Sequence, residues 1–213
     1  MAFGLPLSTT WRTEVCRGYE RVSYSTVELT KLNAINICLN SVGEPAVNAL
    51  DDAGVDANIA ADLIDEVSRS VQVRGWHWNT EYHTLSPDTL GYIYLPANVG
   101  KIDSIGDSKG LDVIQRGLRL YDKTNNAYKF EHTLDLVIVV ILGFEELPLS
   151  CRTYIAYQAA QIFQARMLGS DNIDAKLKEI AERAYSELMR DDLETSDPNM
   201  LKDSWTVLSV LRR

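Results

Sequence analysis

Two amphipathic helix patterns stand in tandem near the start of this chain, each with its own stop, and they limit what the chain can fold into. Leu32, Ile35, Leu39 and Val42 recur at three- and four-residue spacing and end at Gly43-Glu44-Pro45. Gly43 suits the left-handed residue that closes a helix, and Pro45 cannot continue one. A second stripe, Ile59, Leu63, Ile64, Val67 and Val71, ends at Arg74-Gly75-Trp76. Helices over about 30–42 and 56–74 follow, the second N-capped by Asp56. Each has one apolar face, so each needs a partner: they are expected to pack on each other and on something later in the chain.

The period changes at Trp76. Trp76 to Tyr82 alternates aromatic and polar residues as a half-buried strand does. Tyr92–Leu95 and Lys101–Ile105 read as short strands. Leu118–Tyr121 and Tyr128–Glu131 read as a hairpin across Asp122–Ala127, where an Asn can take positive φ. Asp135–Leu142 reads as a central strand. Pro148 then opens a helix that stops at Gly169, with Ile155, Ala159, Ile162 and Phe163 as its stripe. A last helix over about 173–192, capped by Asp171 or Asn172, carries Ile173, Leu177, Ile180, Ala184, Leu188 and Met189 on one face. A carboxylate at Leu63 or Ile180 is therefore expected to abolish folding.

The fold class expected is α+β. Two N-terminal and two C-terminal helices form a bundle (28–75 and 148–192), with a small β lobe inserted at 76–147. Residues 1–27, broken by Gly4, Pro6 and Gly18, read as an arm with a short strand near Tyr19–Tyr24, and 193–213 as a C-terminal arm. That arm breaks at Pro198 and ends in an apolar strip, Trp205, Val207, Leu208, Val210 and Leu211, with the basic tip Arg212-Arg213.

Charge narrows the function. The 213-residue chain carries a formal −9. Tight duplex binding rests on cation–phosphate contacts, so DNA is expected to pass by without being held. The start of the chain reads as no signal peptide, and the longest apolar run, Leu134–Phe144, contains Asp135 and is too short to span a bilayer. Cys16, Cys38 and Cys151 form no metal or disulfide pattern, which fits a reducing cytoplasm, and no cofactor or metal motif appears. His77, His83 and His132 read as ordinary imidazoles. Glu145-Glu146 and Asp191-Asp192 are adjacent pairs, which point apart rather than face each other across a sugar. Trp76, Trp78, Tyr82, Tyr92 and Tyr94 read as packing residues, and Arg74, Arg152 and Arg166 as structural or inter-subunit cations.

The order of several segments resembles the tail tubular protein A family of short-tailed phages. These are Leu32–Val47 with Val42-Gly43-Glu44-Pro45, Val73–Trp76 followed by Thr84–Asp88, Leu120–Thr124, Glu145–Pro148, and the Ala/Gln-rich helix near 156–166. The resemblance covers roughly residues 28 to 200. It implies a structural head-to-tail adaptor in the virion, a ring of about twelve copies between portal protein and tail nozzle protein (tail tubular protein B), forming part of the DNA ejection conduit. The strip Trp205, Val207, Leu208, Leu211, Arg212 and Arg213 is then the expected portal-binding segment. The turn Lys123, Thr124, Asn125 and Asn126 is the expected nozzle contact. The alternative reading is a tail-associated glycan or peptidoglycan hydrolase, which would need a convergent carboxylate pair.

Overall fold

A computed structural model describes residues 28–49 and 54–195. The N-terminal arm, the strand expected near Tyr19–Tyr24 and the C-terminal strip lie outside the described residues. Helix α1 spans Lys31–Val42; Thr30 caps it by accepting from the Asn33 amide at 3.2 Å, and Gly43 closes it at φ 84°. The turn beyond is held by Asn36, whose side chain bonds both the amide and the carbonyl of Val47. Helix α2, Val55–Gln72, is preceded by Gly54 rather than capped by Asp56, which lies in its first turn. Helix α3, Leu149–Met167, follows Pro148, and Gly169 beyond it has φ 65°. Helix α4, Asp171–Thr195, runs into the segment read as the C-terminal arm.

Helix α3 is the hub, touching α1, α2 and α4. Its Ala156, Ala159 and Ala160 are fully buried, and small side chains let neighbouring helices approach closely. Around them pack Ile35, Cys38, Leu63, Ile64, Ile155, Phe163 and Leu188. Two stripe assignments fail. Ile59 and Ile180 are each 38% exposed, while Ala60 and Ala181 one position on are buried. Each stripe had more apolar residues than the narrow seam to α3 can accept, so one large side chain per helix faces outward.

The β region has two sheets. Strands β1 (Thr80–Leu85), β2 (Val99–Ser104) and β5 (Leu134–Val140) form an antiparallel sheet in the order β1-β5-β2, with β5 central as expected. Strands β3 (Val113–Arg116) and β4 (Arg119–Asp122) form a separate hairpin, turning at Gly117-Leu118 with Gly117 at φ 65°. This corrects the hairpin read across Asp122–Ala127. β4 pairs backward with β3, and only one bridge, Asp122 to Ala127, spans the expected turn. The tight Gly117 turn permits immediate two-residue reversal, which the longer loop does not. Trp76 to Tyr82 is also not one strand: a 3-10 turn over His77–Asn79 precedes β1. The segment Ile93–Leu95 lies along β4, with Leu95 N donating to Leu118 O and Leu120 N to Ile93 O. A second hydrophobic cluster, Ile93, Leu95, Val113, Leu120, Phe130, Leu134, Leu136 and Ile138, fills this region.

Two amides join the regions. Gln72, fully buried, donates to Ser68 Oγ and Leu142 O and accepts from Leu142 N at 2.8 Å. Asn79, also buried, donates to Gln72 O and Val140 O and accepts from Trp76 N. The end of α2 is thereby sewn to the end of β5. Glycines let the backbones close in: a Cβ at Gly100 would lie 2.8 Å from Ile141 Cδ1.

Candidate assembly surfaces

The turn expected to bind a partner is built around one buried carboxylate. Asp122, 4% exposed, accepts from the amides of Thr124 at 2.7 Å and Asn125 at 3.1 Å, and from Asn125 Nδ2 at 2.7 Å. Burial alone would raise its carboxyl pKa, but these bonds, those from Asn125 foremost, outweigh it and hold the pKa below the usual aspartate value. Lys123 Nζ pairs with Asp112 Oδ2 at 2.6 Å, and the Asp112 amide donates to Thr124 Oγ1. Tyr121 OH donates to Asn126 Oδ1, and Asn126 takes φ 53°, the positive φ that asparagine tolerates. Lys123, Thr124, Asn125 and Asn126 thus stand together on an exposed, prestructured tip. Their side chains are largely engaged in shaping it. Asp122 and Asp112 are the organisers the sequence reading missed, although an Asp opening Asp-Lys-Thr-Asn is a turn signal in itself.

The portal candidates Trp205, Val207, Leu208, Leu211, Arg212 and Arg213 lie outside the described residues. The other singled-out groups have structural partners. Glu145 accepts from the Lys31 amide at 2.8 Å and so caps α1 from 114 residues further along the chain, at a helix start where a carboxylate also suits the dipole. Glu146 turns away to the Gly143 amide. Arg152 donates to Leu29 O and lies 3.5 Å from Glu145. Arg74 bonds Tyr185 OH and sits over the Trp76 ring. Arg166 is 3.8 Å from Glu66. Trp76 is buried, stacked on Trp78, and donates to Val71 O.

No convergent acid pair emerges from these placements. Asp191 and Asp192 border a cavity of about 250 Å³ with His77 and Trp78, but Asp192 accepts from the His77 amide and Asp191 is its immediate neighbour. His83 meets Glu81 on β1, away from His77. Among the described residues, no group of three or more His, Cys, Asp or Glu could hold a metal ion, and no helix is long and apolar enough to cross a membrane.

Comparison with known proteins agrees with the segment order noted in the sequence. The model of the tail tubular protein family matches residues 32–198, which takes in every strand and, but for Lys31, the four helices of the described residues. Tail tubular protein A of Klebsiella phage KP34 is 28% identical over 166 residues, covering 78% of this chain and 88% of that protein. The family is structural rather than enzymatic, which matches a molecule whose carboxylates serve as caps and turn anchors. The chain belongs to the tail tubular protein family and is a structural component of a phage tail.

Proposed function

We propose that this protein is the head-to-tail adaptor of a short-tailed phage, assembled in the host cytoplasm as a ring of about twelve copies. The reading rests above all on its similarity to tail tubular protein A of phage KP34 across nearly the whole of that protein. In this reading the bundle (28–75 and 148–192) is the ring body, with 1–27 as an N-terminal arm. The β lobe (76–147) points its prestructured Lys123–Asn126 tip at the nozzle protein, because a turn held by Asp122 presents a fixed shape to a partner. The apolar strip at 205–211 with Arg212 and Arg213 engages the portal protein, with Trp205 as anchor. Genomic DNA passes through an acidic conduit without tight binding.

Three measurements test this. Tails assembled with protein lacking residues 199–213 should lose portal attachment, while the truncated protein keeps its melting temperature. Replacing Lys123–Asn126 by a Gly-Ser loop should weaken nozzle attachment and spare the portal complex. Loss of portal binding by the loop variant would invert the polarity. A salt-sensitive, sub-micromolar gel shift with duplex DNA would remove the passive conduit.

A further inference from the structure

The β lobe carries a run of cations that this acidic chain leaves unmatched. Arg119 lies over two rings, 5.1 Å from Tyr128 and 5.4 Å from Tyr92. Arg116 stacks 3.7 Å from the Tyr121 ring, and Tyr121 meets Tyr128 edge-on at 4.8 Å. Lys129 Nζ is 6.0 Å from Tyr92, whose ring in turn touches Tyr94. These contacts join into one face on β4, the β3–β4 turn and the flanking segments. Arg116, Arg119 and Lys129 are all exposed, and among the described residues none of them meets a carboxylate within ion-pair distance. Lys123 nearby does have one, in Asp112. Large apolar groups border the cations: Tyr94 is 59% and Leu118 56% exposed. Rings hold the guanidinium groups in place, so less side-chain freedom is lost when an anion arrives.

The composition of the face discriminates between anions. Tyr and Arg beside exposed Leu is the make-up of a protein interface core. A polyanion such as DNA has no use for Leu118 at the tip of the turn. Its complement lies on the same chain. The outer stripe of α2 runs Val55, Ile59, Asp62 and Glu66 at four- and three-residue spacing. Val55 is 74% and Ile59 38% exposed, and Asp62 has no ion-pair partner among the described residues. Among the described residues Glu66 pairs with Arg166 alone, at 3.8 Å. One face is apolar with cations and the other apolar with acids. A closed ring requires two different, mutually complementary faces on each subunit.

We infer that the Arg116–Arg119–Lys129 face of one subunit docks on the outer α2 stripe, Val55 to Glu66, of a second copy of this chain. This inference rests on the ring reading above. Leu118 and Tyr94 cover Ile59 and Val55, and the arginines meet Asp62 and Glu66.

The test uses assembled tails from phage particles. Glutaraldehyde on wild-type tails reports the ring itself as a ladder of multimers; without a ladder the ring reading fails, and the docking with it. Cysteines at L118C and I59C, in one chain carrying C16S, then report the face. Cys38 and Cys151 are buried thiols whose pKa burial pushes up to about 12, so they stay silent toward maleimide. A short bis-maleimide should yield a multimer ladder from the double-cysteine chain and at most dimers from either single-cysteine chain. A glutaraldehyde ladder without the bis-maleimide ladder overturns the docking and leaves the ring standing. Charge reversal gives an independent readout. R116E/R119E should keep the wild-type circular dichroism spectrum and a cooperative melt, lowered only by the lost ring contacts, yet lower incorporation into tails at least tenfold, and D62K/E66K in the same chain should restore incorporation. Unchanged incorporation, or loss that the second pair does not restore, overturns the inference; the latter result assigns the cations to another tail protein or to DNA.

Discussion

The helical bundle and the β lobe are held together by different means. The bundle is built on side-chain burial: α3 sits among three helices, and Ile155, Ala156, Ala159, Ala160 and Phe163 on it are fully buried. Its polar contacts lie largely at helix ends, such as Thr30 and Glu145 at the start of α1, and on outer faces, such as Lys31–Asp65 and Arg166–Glu66. The lobe has a smaller apolar cluster and relies on short strands with polar anchors, among them Asp122 in its turn and Asp88, which accepts from the amides of Leu90 and Tyr92. Burial is non-directional and tolerates variation in detail, whereas a turn built on hydrogen bonds fixes a surface shape. The body of such a molecule is therefore suited to bearing load and the lobe to presenting contact surfaces.

The hardest test of this contrast is a charge in each core. Leu63→Asp should abolish cooperative folding altogether, since a carboxylate in the α1–α2–α3 interior costs more than the ~5–15 kcal/mol that stabilises a domain can absorb. Leu136→Asp in the lobe should remove the tyrosine part of the near-ultraviolet signal that comes from the lobe, and keep the Trp76–Trp78 part, which packs with the bundle, together with most of the helical signal at 222 nm. Simultaneous loss of both signals would make the two regions one cooperative unit and break the comparison.

The amide seam decides how tightly the regions are coupled. Gln72→Ala strands the Leu142 amide and carbonyl and the Ser68 hydroxyl at a buried junction, at a cost of about 2–4 kcal/mol. Urea unfolding followed by the near-ultraviolet tyrosine signal of the lobe, where Tyr121 meets Tyr128, and by circular dichroism at 222 nm should then show two separated transitions. A single transition with an unchanged midpoint would remove the seam from the account.

Smaller effects separate the turn from the bundle by pH. Asp122 has its carboxyl pKa lowered in the folded lobe, so its contribution is present above the ordinary aspartate value of 3.8 and is lost as the pH falls below it. Asp122→Ala should lower lobe stability by about 1–3 kcal/mol near neutrality and flatten the decline below pH 4 seen in wild type. In the bundle the sign is opposite. Cys38 and Cys151, raised from 9.0 to about 12, favour folding fully below pH 9 and less as the pH rises beyond it, because only the unfolded thiols ionise there. The melting temperature of C38V/C151V should fall less steeply than that of wild type between pH 9 and 10.5. Parallel curves would remove the thiols as the cause. The smallest effect is expected at Ile180→Asp, within about 0.5 kcal/mol, because that side chain faces outward from α4. A large loss in its thermal melt would return Ile180 to the core.

Much of the helical half was legible in the sequence. Gly43 and Gly169 with positive φ and Pro148 ahead of α3 sit where the apolar stripes said the helices would begin or end. These signals are local: a missing Cβ or amide acts on its own backbone, whatever lies around it. The central strand was equally readable, because a Val/Ile run too short for a membrane has few other uses. The site was half legible. Residues 122–127 were visible as a turn, but the hairpin read across it was wrong, since β4 pairs back onto β3 instead.

Only the tertiary structure decided which strand β4 joins, which of the surplus apolar residues on α2 and α4 stay outside, and which carboxylate caps which helix. Glu145 reaches the start of α1 across more than a hundred residues of chain, and Gln72 spans seventy to reach Leu142. The cation–tyrosine face likewise gathers Arg116, Arg119, Lys129, Tyr92 and Tyr128 from separate segments. Periodicity and turn chemistry report what a residue does to its own few neighbours along the chain. Pairing, register and charge complementarity depend on distances in space, which are set only once the helices close on α3 and the strands close on β5.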